Sequence, residues 1–154
     1  MKFIKFRGKD ILQRQIFYFY LNKINFYDID NDHLSDNLII YITNYIKNNI
    51  KSYDRILLVI FADSVNLELN RKNYPGLYFI KTVMSIISSD SVRSYIDINS
   101  LEVAVYKPSF MFKFYLYFLR SFYISKEVWS QVQFCESEEN MREVYDIEVE
   151  EENK

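Results

Sequence analysis

A chain of 154 residues, 49% hydrophobic and 26% charged, can bury one core but is too short to divide into two, and its composition excludes a disordered polymer. Its net charge of −2, with the cations spread out, leaves no basic footprint for a nucleic acid. The purely apolar runs 16–21 and 56–62 are far shorter than the roughly 20 residues that span a bilayer, and Pro108, Lys113 and Arg120 interrupt the longer stretch 103–124, so no membrane span is expected.

The amino terminus places Lys2, Lys5, Arg7 and Lys9 close together. Gathered in space they could hold a phosphate or an acidic surface; read more simply they are a solvated end. With Asp10 and Arg14 they also break any early apolar stretch, so no signal peptide is expected. Residues 14–23 are aromatic and β-branched in a continuous run, which predicts a buried strand centred on 16–21. A polar break at 28–37 follows, with Asp32 as a helix cap. Leu34, Leu38, Ile39, Ile42, Tyr45 and Ile46 then recur at three- and four-residue spacing, and Asn37, Asn44, Lys47 and Asn48 take the opposite face. That pattern predicts an amphipathic helix over 34–50. The run 55–64 is the clearest strand, apolar throughout 56–62 and therefore covered on both faces.

Beyond a loop at 66–73, Pro75 suits a first helical position, and Leu77, Ile80, Val83, Met84 and Ile87 form a second helical stripe over 75–87. A third strand is expected at 101–106, stopped by Pro108. A helix follows over 109–122, then a short strand at 131–136. Ser137 caps a last turn or two, with Glu138 and Glu139 at the positive end of the helix dipole. The acidic stretch 146–154 reads as a solvated tail. The order β, α, β, α, β, α, β, α predicts an α/β fold with a single mainly parallel sheet flanked by helices, one domain over 1–146 and a tail over 147–154.

Fourteen Tyr, 13 Phe and one Trp are a heavy aromatic load. Side chains this large either build a deep core or line an apolar cavity; a chain rich in Ile, Lys, Asn, Tyr and Phe and poor in Gly and Ala also fits an AT-rich coding sequence. The case for catalysis is poor. His33, the one histidine, lies among Asp28, Asp30, Asp32 and Asp36, but the calcium-loop glycine and closing glutamate are missing, so the segment reads as a helix-capping loop rather than a metal site. Cys135, the one cysteine, excludes an internal disulfide and a thiolate metal set, sits in a predicted strand, and fits a reducing, cytoplasmic location. Neither Gly8 nor Gly76 belongs to a phosphate-cradling loop. No enzyme, cofactor or metal is expected.

The helix over 109–122 carries the candidate site. Phe110, Phe114, Phe118 and Phe122 repeat every four residues; Phe112, Leu116, Leu119 and Tyr123 cover another face; Lys113, Tyr117 and Arg120 form a polar edge. A helix hydrophobic on nearly all sides touches more than its own sheet.

The stretch from the strand 101–106, through Lys107-Pro108 and the aromatic helix with Lys113 and Arg120, to 134–145 resembles the carboxy-terminal half of divergent CRAL-TRIO domains. These modules, also called BCH domains, occur in certain Rho GTPase-activating proteins and their relatives. The order of the upstream elements agrees, so the resemblance covers roughly 14–146, although Lys107 stands where a histidine is common, glycines are scarce and 88–100 is long for a helix-to-strand connection. The resemblance implies a CRAL-TRIO lipid-binding-like fold and a non-enzymatic binding module that acts as an adaptor or regulator. It implies a partner that is either a lipid, with peripheral membrane contact, or a protein: a small GTPase, its regulator, or a second copy in a homodimer. A lipid-transfer protein holding its ligand between sheet and helix, and an accessory subunit of a larger assembly, are the alternatives. The residues expected to meet ligand or partner are Phe110, Lys113, Phe114, Tyr117, Phe118 and Arg120.

Overall fold

In the computed structural model, which describes residues 3–24, 35–50, 55–62, 81, 84–85 and 90–149, five strands form one sheet in the order of the chain. Strand β1 (Ile4–Lys9) pairs antiparallel with β2 (Arg14–Tyr20), while β2, β3 (Arg55–Phe61), β4 (Leu101–Tyr106) and β5 (Val132–Cys135) run parallel. Parallel neighbours require crossovers. Helix α1 (Ser35–Asn49) lies between β2 and β3, and the single turn α2 (Asp90–Arg93) between β3 and β4. Helices α3 (Phe110–Phe122) and α4 (Lys126–Trp129) connect β4 to β5, and α5 (Glu138–Tyr145) follows the sheet. The architecture is α/β, a single mainly parallel sheet flanked by helices.

The central strands are apolar at successive positions because both faces are covered. Phe17 and Phe19 of β2, Ile56 of β3 and Val105 of β4 belong to one buried layer, with Leu38 and Ile39 of α1, Val92, Tyr95 and Ile96 after α2, and Phe112 of α3. Ile16, Tyr18 and Tyr20 of β2, Leu57, Val59 and Phe61 of β3, Ala104 and Tyr106 of β4 and Cys135 of β5 belong to a second layer, with Met141 and Tyr145 of α5. A one-residue slip of any of these strands would exchange the two sets, so register is fixed by packing.

Two expectations change. The basic amino terminus, read as a solvated end, forms β1. Ile4 is buried and Phe6 packs on Phe17 at 5.1 Å between ring centroids, while Lys5, Arg7 and Lys9 alternate with them. Gly8, at φ 89°, allows the register shift between Phe6 and Lys9, a conformation unfavourable for residues with a Cβ. The order therefore opens with an antiparallel edge hairpin before the crossovers begin. The acidic stretch, read as solvated from residue 146, instead buries Ile147 and Val149 in the second layer while Asp146 and Glu148 stay exposed.

The remaining predicted elements fall where expected, with ends displaced by up to three residues. Of the helix predicted over 75–87, Lys81, Met84 and Ser85 are helical and the rest lies outside the described residues, as do the loops around His33 and 66–73.

Candidate functional site

The site begins where the chain leaves β4. The Lys107 N–H donates to the Cys135 carbonyl at 2.8 Å, carrying the β4–β5 pairing one residue past β4. Lys107 then adopts the left-handed region, at φ 50°, turning the chain into buried Pro108. Ser109 caps α3, its hydroxyl oxygen accepting from the Phe112 N–H at 3.1 Å. With its start fixed, the helix presents Phe112 and Leu119, seven residues or two turns apart, to the interior, and both are buried. Leu116 and Tyr123 on the same face are half-buried. Burying Phe112 and Leu119 stabilises the packed helix by about 1.5–3 kcal/mol each.

The opposite face is where the helix departs from ordinary amphipathicity. Phe110 is 76% exposed, Phe114 63%, Phe118 54% and Phe122 70%, with Met111 and Tyr117 also exposed beside them. Phe118 and Phe122 lean on each other at 5.6 Å, one turn apart. A water-facing helix normally carries charged and polar groups there. Phenylalanines held in water on a helix with a packed inner face are an apolar surface with nothing of the described residues over it.

One edge of this surface is basic. Lys113 Nζ lies 2.6 Å from Glu136 Oε1, next to β5. The Arg120 guanidinium lies over two rings, 5.9 Å from the centroid of Tyr117 and 5.5 Å from that of Trp129. Tyr117 packs on Trp129 at 5.5 Å and on Phe134 at 5.6 Å, and Trp129 on Phe134 at 6.1 Å. Tyr117 of α3 and Trp129 of α4 thus flank Arg120, and Phe134 of β5 packs against both of these rings.

All six residues singled out in the sequence lie on this helix in two neighbouring groups. Phe110, Phe114 and Phe118 form the apolar ladder; Lys113, Tyr117 and Arg120 form its edge. Met111 and Phe122 extend the ladder, and Trp129 and Phe134 support the edge. Phe122 was legible from the four-residue spacing. Trp129 and Phe134 reach Tyr117 only through the path of α4 and the pairing of β5, which no periodicity announces.

Other reactive groups offer little chemistry. Cys135 is fully buried, and burial, assisted by the nearby Glu136 charge, pushes its thiol up to about 11, away from the nucleophilic thiolate. Among the described residues, no group of three or more His, Cys, Asp or Glu side chains could hold a metal ion, and no helix is long and apolar enough to cross a membrane.

The profile of the divergent CRAL/TRIO domain matches residues 13–151, from the turn before β2 to beyond the buried stretch that follows α5. No curated protein is significantly similar to the chain. With the match covering nearly its whole length, the chain belongs to the divergent CRAL/TRIO domain family, whose members are in general ligand-binding domains and not enzymes.

Proposed function

We propose that the chain is a non-catalytic lipid-binding module that meets its ligand with the outward face of α3. The observation that carries this reading is the exposure of Phe110, Phe114, Phe118 and Phe122 on a helix whose other face is anchored by Phe112 and Leu119. Phenylalanine rings of this kind cover an acyl chain or enter the headgroup boundary of a membrane. Lys113 and Arg120, at the edge of the surface, meet the headgroup charge. Each methylene taken from water contributes about 0.8 kcal/mol, so a few suffice for useful affinity. The reading requires no cofactor, and a peripheral role at a cytoplasmic membrane surface agrees with it.

The test is co-sedimentation of the purified chain with phospholipid vesicles, together with lipid extraction and native mass spectrometry of the protein as isolated. Wild type should carry a lipid or sediment with vesicles, and the double variant Phe114→Ala, Phe118→Ala should lose at least tenfold in binding while its circular dichroism stays unchanged. Wild-type protein that carries no lipid and ignores vesicles of both neutral and anionic composition overturns the reading.

A protein partner is the second reading, favoured by the pre-ordered position of Arg120 on Tyr117 and Trp129. Arginine and large aromatics held rigidly at a surface are the residues that dominate protein interfaces. This reading makes the chain an adaptor, or an accessory subunit, for a small GTPase or its regulator, as its resemblance to BCH domains implies. Arg120→Ala should then weaken partner capture while leaving vesicle binding nearly unchanged.

A further inference from the structure

A second apolar contact stands apart from α3, at the turn that joins β1 to β2. There Ile11 is 79% exposed and Leu12 46%. Both residues precede residue 13, where the match to the family begins, so the tip of this hairpin lies outside the shared domain.

The turn keeps its polar groups to itself. The Leu12 and Arg14 N–H groups donate to Asp10 Oδ1 at 3.0 and 2.8 Å. The Gln13 N–H donates to the Asp10 carbonyl at 3.1 Å, and the Asp10 N–H to the Arg14 carbonyl at 3.0 Å. The Leu12 carbonyl accepts from Arg55 at 3.4 Å. Gln13 takes the left-handed region, at φ 64°, where hairpin turns usually place glycine, and the bonds to Asp10 on either side hold it there. Backbone groups already paired within a turn can leave water at little cost, the condition for entering lipid.

We propose that Ile11 and Leu12 insert into the headgroup boundary of an anionic bilayer and anchor the chain there, a proposal that rests on the lipid-binding reading of α3. Size favours a bilayer over a protein. Two side chains supply only a small part of the roughly 800 Å² that a standard protein interface takes from each partner, whereas a membrane needs no matching surface and each buried methylene adds to affinity.

Charge and topology agree. Around the tip three cations, Lys9, Arg14 and Arg55, face two carboxylates, and both carboxylates are held by arginines: Asp10 by Arg14 at 2.6 Å and Glu102 by Arg55 at 3.1 Å. The excess is positive, and Lys9 is exposed on the shoulder of the tip. The tip projects from the end of the sheet where β2 and β3 begin. Because β4 and β5 are parallel, α3 must carry the chain back toward that same end. Its 13 residues span about 20 Å, the length of a six-residue strand. The last turn of α3, with Phe118 and Phe122, thus lies toward the end from which Ile11 and Leu12 project.

Co-sedimentation of the full chain with vesicles of phosphatidylcholine, alone or mixed with phosphatidylserine, tests the anchor. The double variant Ile11→Ser, Leu12→Ser should bind mixed vesicles at least tenfold more weakly than wild type. Its circular dichroism should be unchanged, and native mass spectrometry should find it carrying lipid as wild type does. Lys9→Gln should weaken binding to mixed vesicles about fivefold and leave neutral ones unaffected. An environment-sensitive fluorophore on Ile11→Cys, with Cys135 buried and out of competition, should brighten on vesicles and be quenched by lipids carrying a nitroxide near the headgroup. A label that stays in water on bound protein, or a serine variant that binds as wild type does, overturns the proposal. The two readings fail separately. Wild type that carries lipid but ignores vesicles sinks the anchor and leaves the lipid-binding module. Vesicle binding that needs Ile11 and Leu12 yet survives Phe114→Ala, Phe118→Ala, in a protein that carries no lipid, sinks the α3 reading and leaves the anchor.

Discussion

Arg14 opens β2 with its side chain only 3% exposed, an unusual place for a permanent cation. It is tolerated because every side of the guanidinium meets a partner. Asp10 Oδ2 accepts from Arg14 Nε at 2.7 Å, the backbone carbonyl of Tyr145 accepts from Nη2, Glu102 stands 3.8 Å away, and the Tyr145 ring lies 5.7 Å below. Asp10 also shapes the β1–β2 turn, its Oδ1 accepting from the backbone N–H groups of Leu12 and Arg14. Burial acts to raise the Asp10 carboxyl, but the hydrogen bonds and charge of Arg14, with the Leu12 N–H, outweigh it and hold the group below its ordinary value of 3.8. A carboxyl lowered on folding contributes stability that is complete above the unfolded value and is lost as pH falls through the folded one. Urea unfolding of wild type should therefore show stability declining as pH falls through 3.8 and below, and Asp10→Asn should be less stable at neutral pH with a flatter acid limb. Removing the cation is costlier: Arg14→Ala leaves Asp10 without its buried partner and should destabilise by about 3–5 kcal/mol. An Asp10→Asn protein as stable at pH 7 as wild type would show that the turn stands without this charge.

At the scale of the element, α3 separates residues that build the fold from residues left for contact. Phe112 and Phe118 have the same side chain on one helix, yet one is 2% exposed and the other 54%. Phe112→Ala should cost about 3–5 kcal/mol in chemical denaturation through the cavity it leaves. Phe118→Ala should change stability by less than about 1 kcal/mol. Equal losses would mean that the outward face is packed in solution. The contrast was partly legible in the sequence. Continuous apolar runs gave β2 and β3 because both of their faces are covered, and the spacing of Phe112 and Leu119 against Phe110, Phe114, Phe118 and Phe122 gave the two faces of α3. Strand β1 was hidden because an edge strand buries only one face. Ile4 and Phe6 alternate with Lys5, Arg7 and Lys9, and the cluster of cations dominates the reading. The support of Arg120 by Trp129 and Phe134 was not legible, since those contacts are tertiary and the sequence carries only short-range periodicities.

At the scale of the whole molecule, the sheet has two faces to cover. Helices α1 and α3, with the residues after α2, cover one face. Among the described residues, the other face is covered by α5 and the extended stretch that follows it. Helix α5 is secured at both ends. Ser137 caps it, its hydroxyl oxygen accepting from the Asn140 N–H at 3.1 Å, while the Asn140 side chain accepts from the Glu136 N–H, one residue before the cap, at 3.3 Å. At the other end Asp146 takes the left-handed conformation and donates its N–H to the Arg142 carbonyl at 2.9 Å. That turn sends the chain back across the sheet, where Ile147 and Val149 point inward and Glu148 outward. The acidic composition concealed a period-two pattern, since Ile147 and Val149 alternate with Asp146 and Glu148, whose carboxylates remain in water. Burial of Ile147 and Val149 is worth about 1.5–3 kcal/mol each, so a chain ending at Asp146 should lose about 3–6 kcal/mol and melt on the order of 10 °C lower. A chain ending at Val149 should melt close to wild type, because it keeps the buried pair and loses only polar residues. The truncated fold keeps α3 on the far side of the sheet, so below its lowered melting temperature it should still bind vesicles as wild type does. An unchanged melting temperature on cutting after Asp146 would show that the second face does not depend on this strap, and lost vesicle binding in a folded truncation would couple the two faces through the sheet.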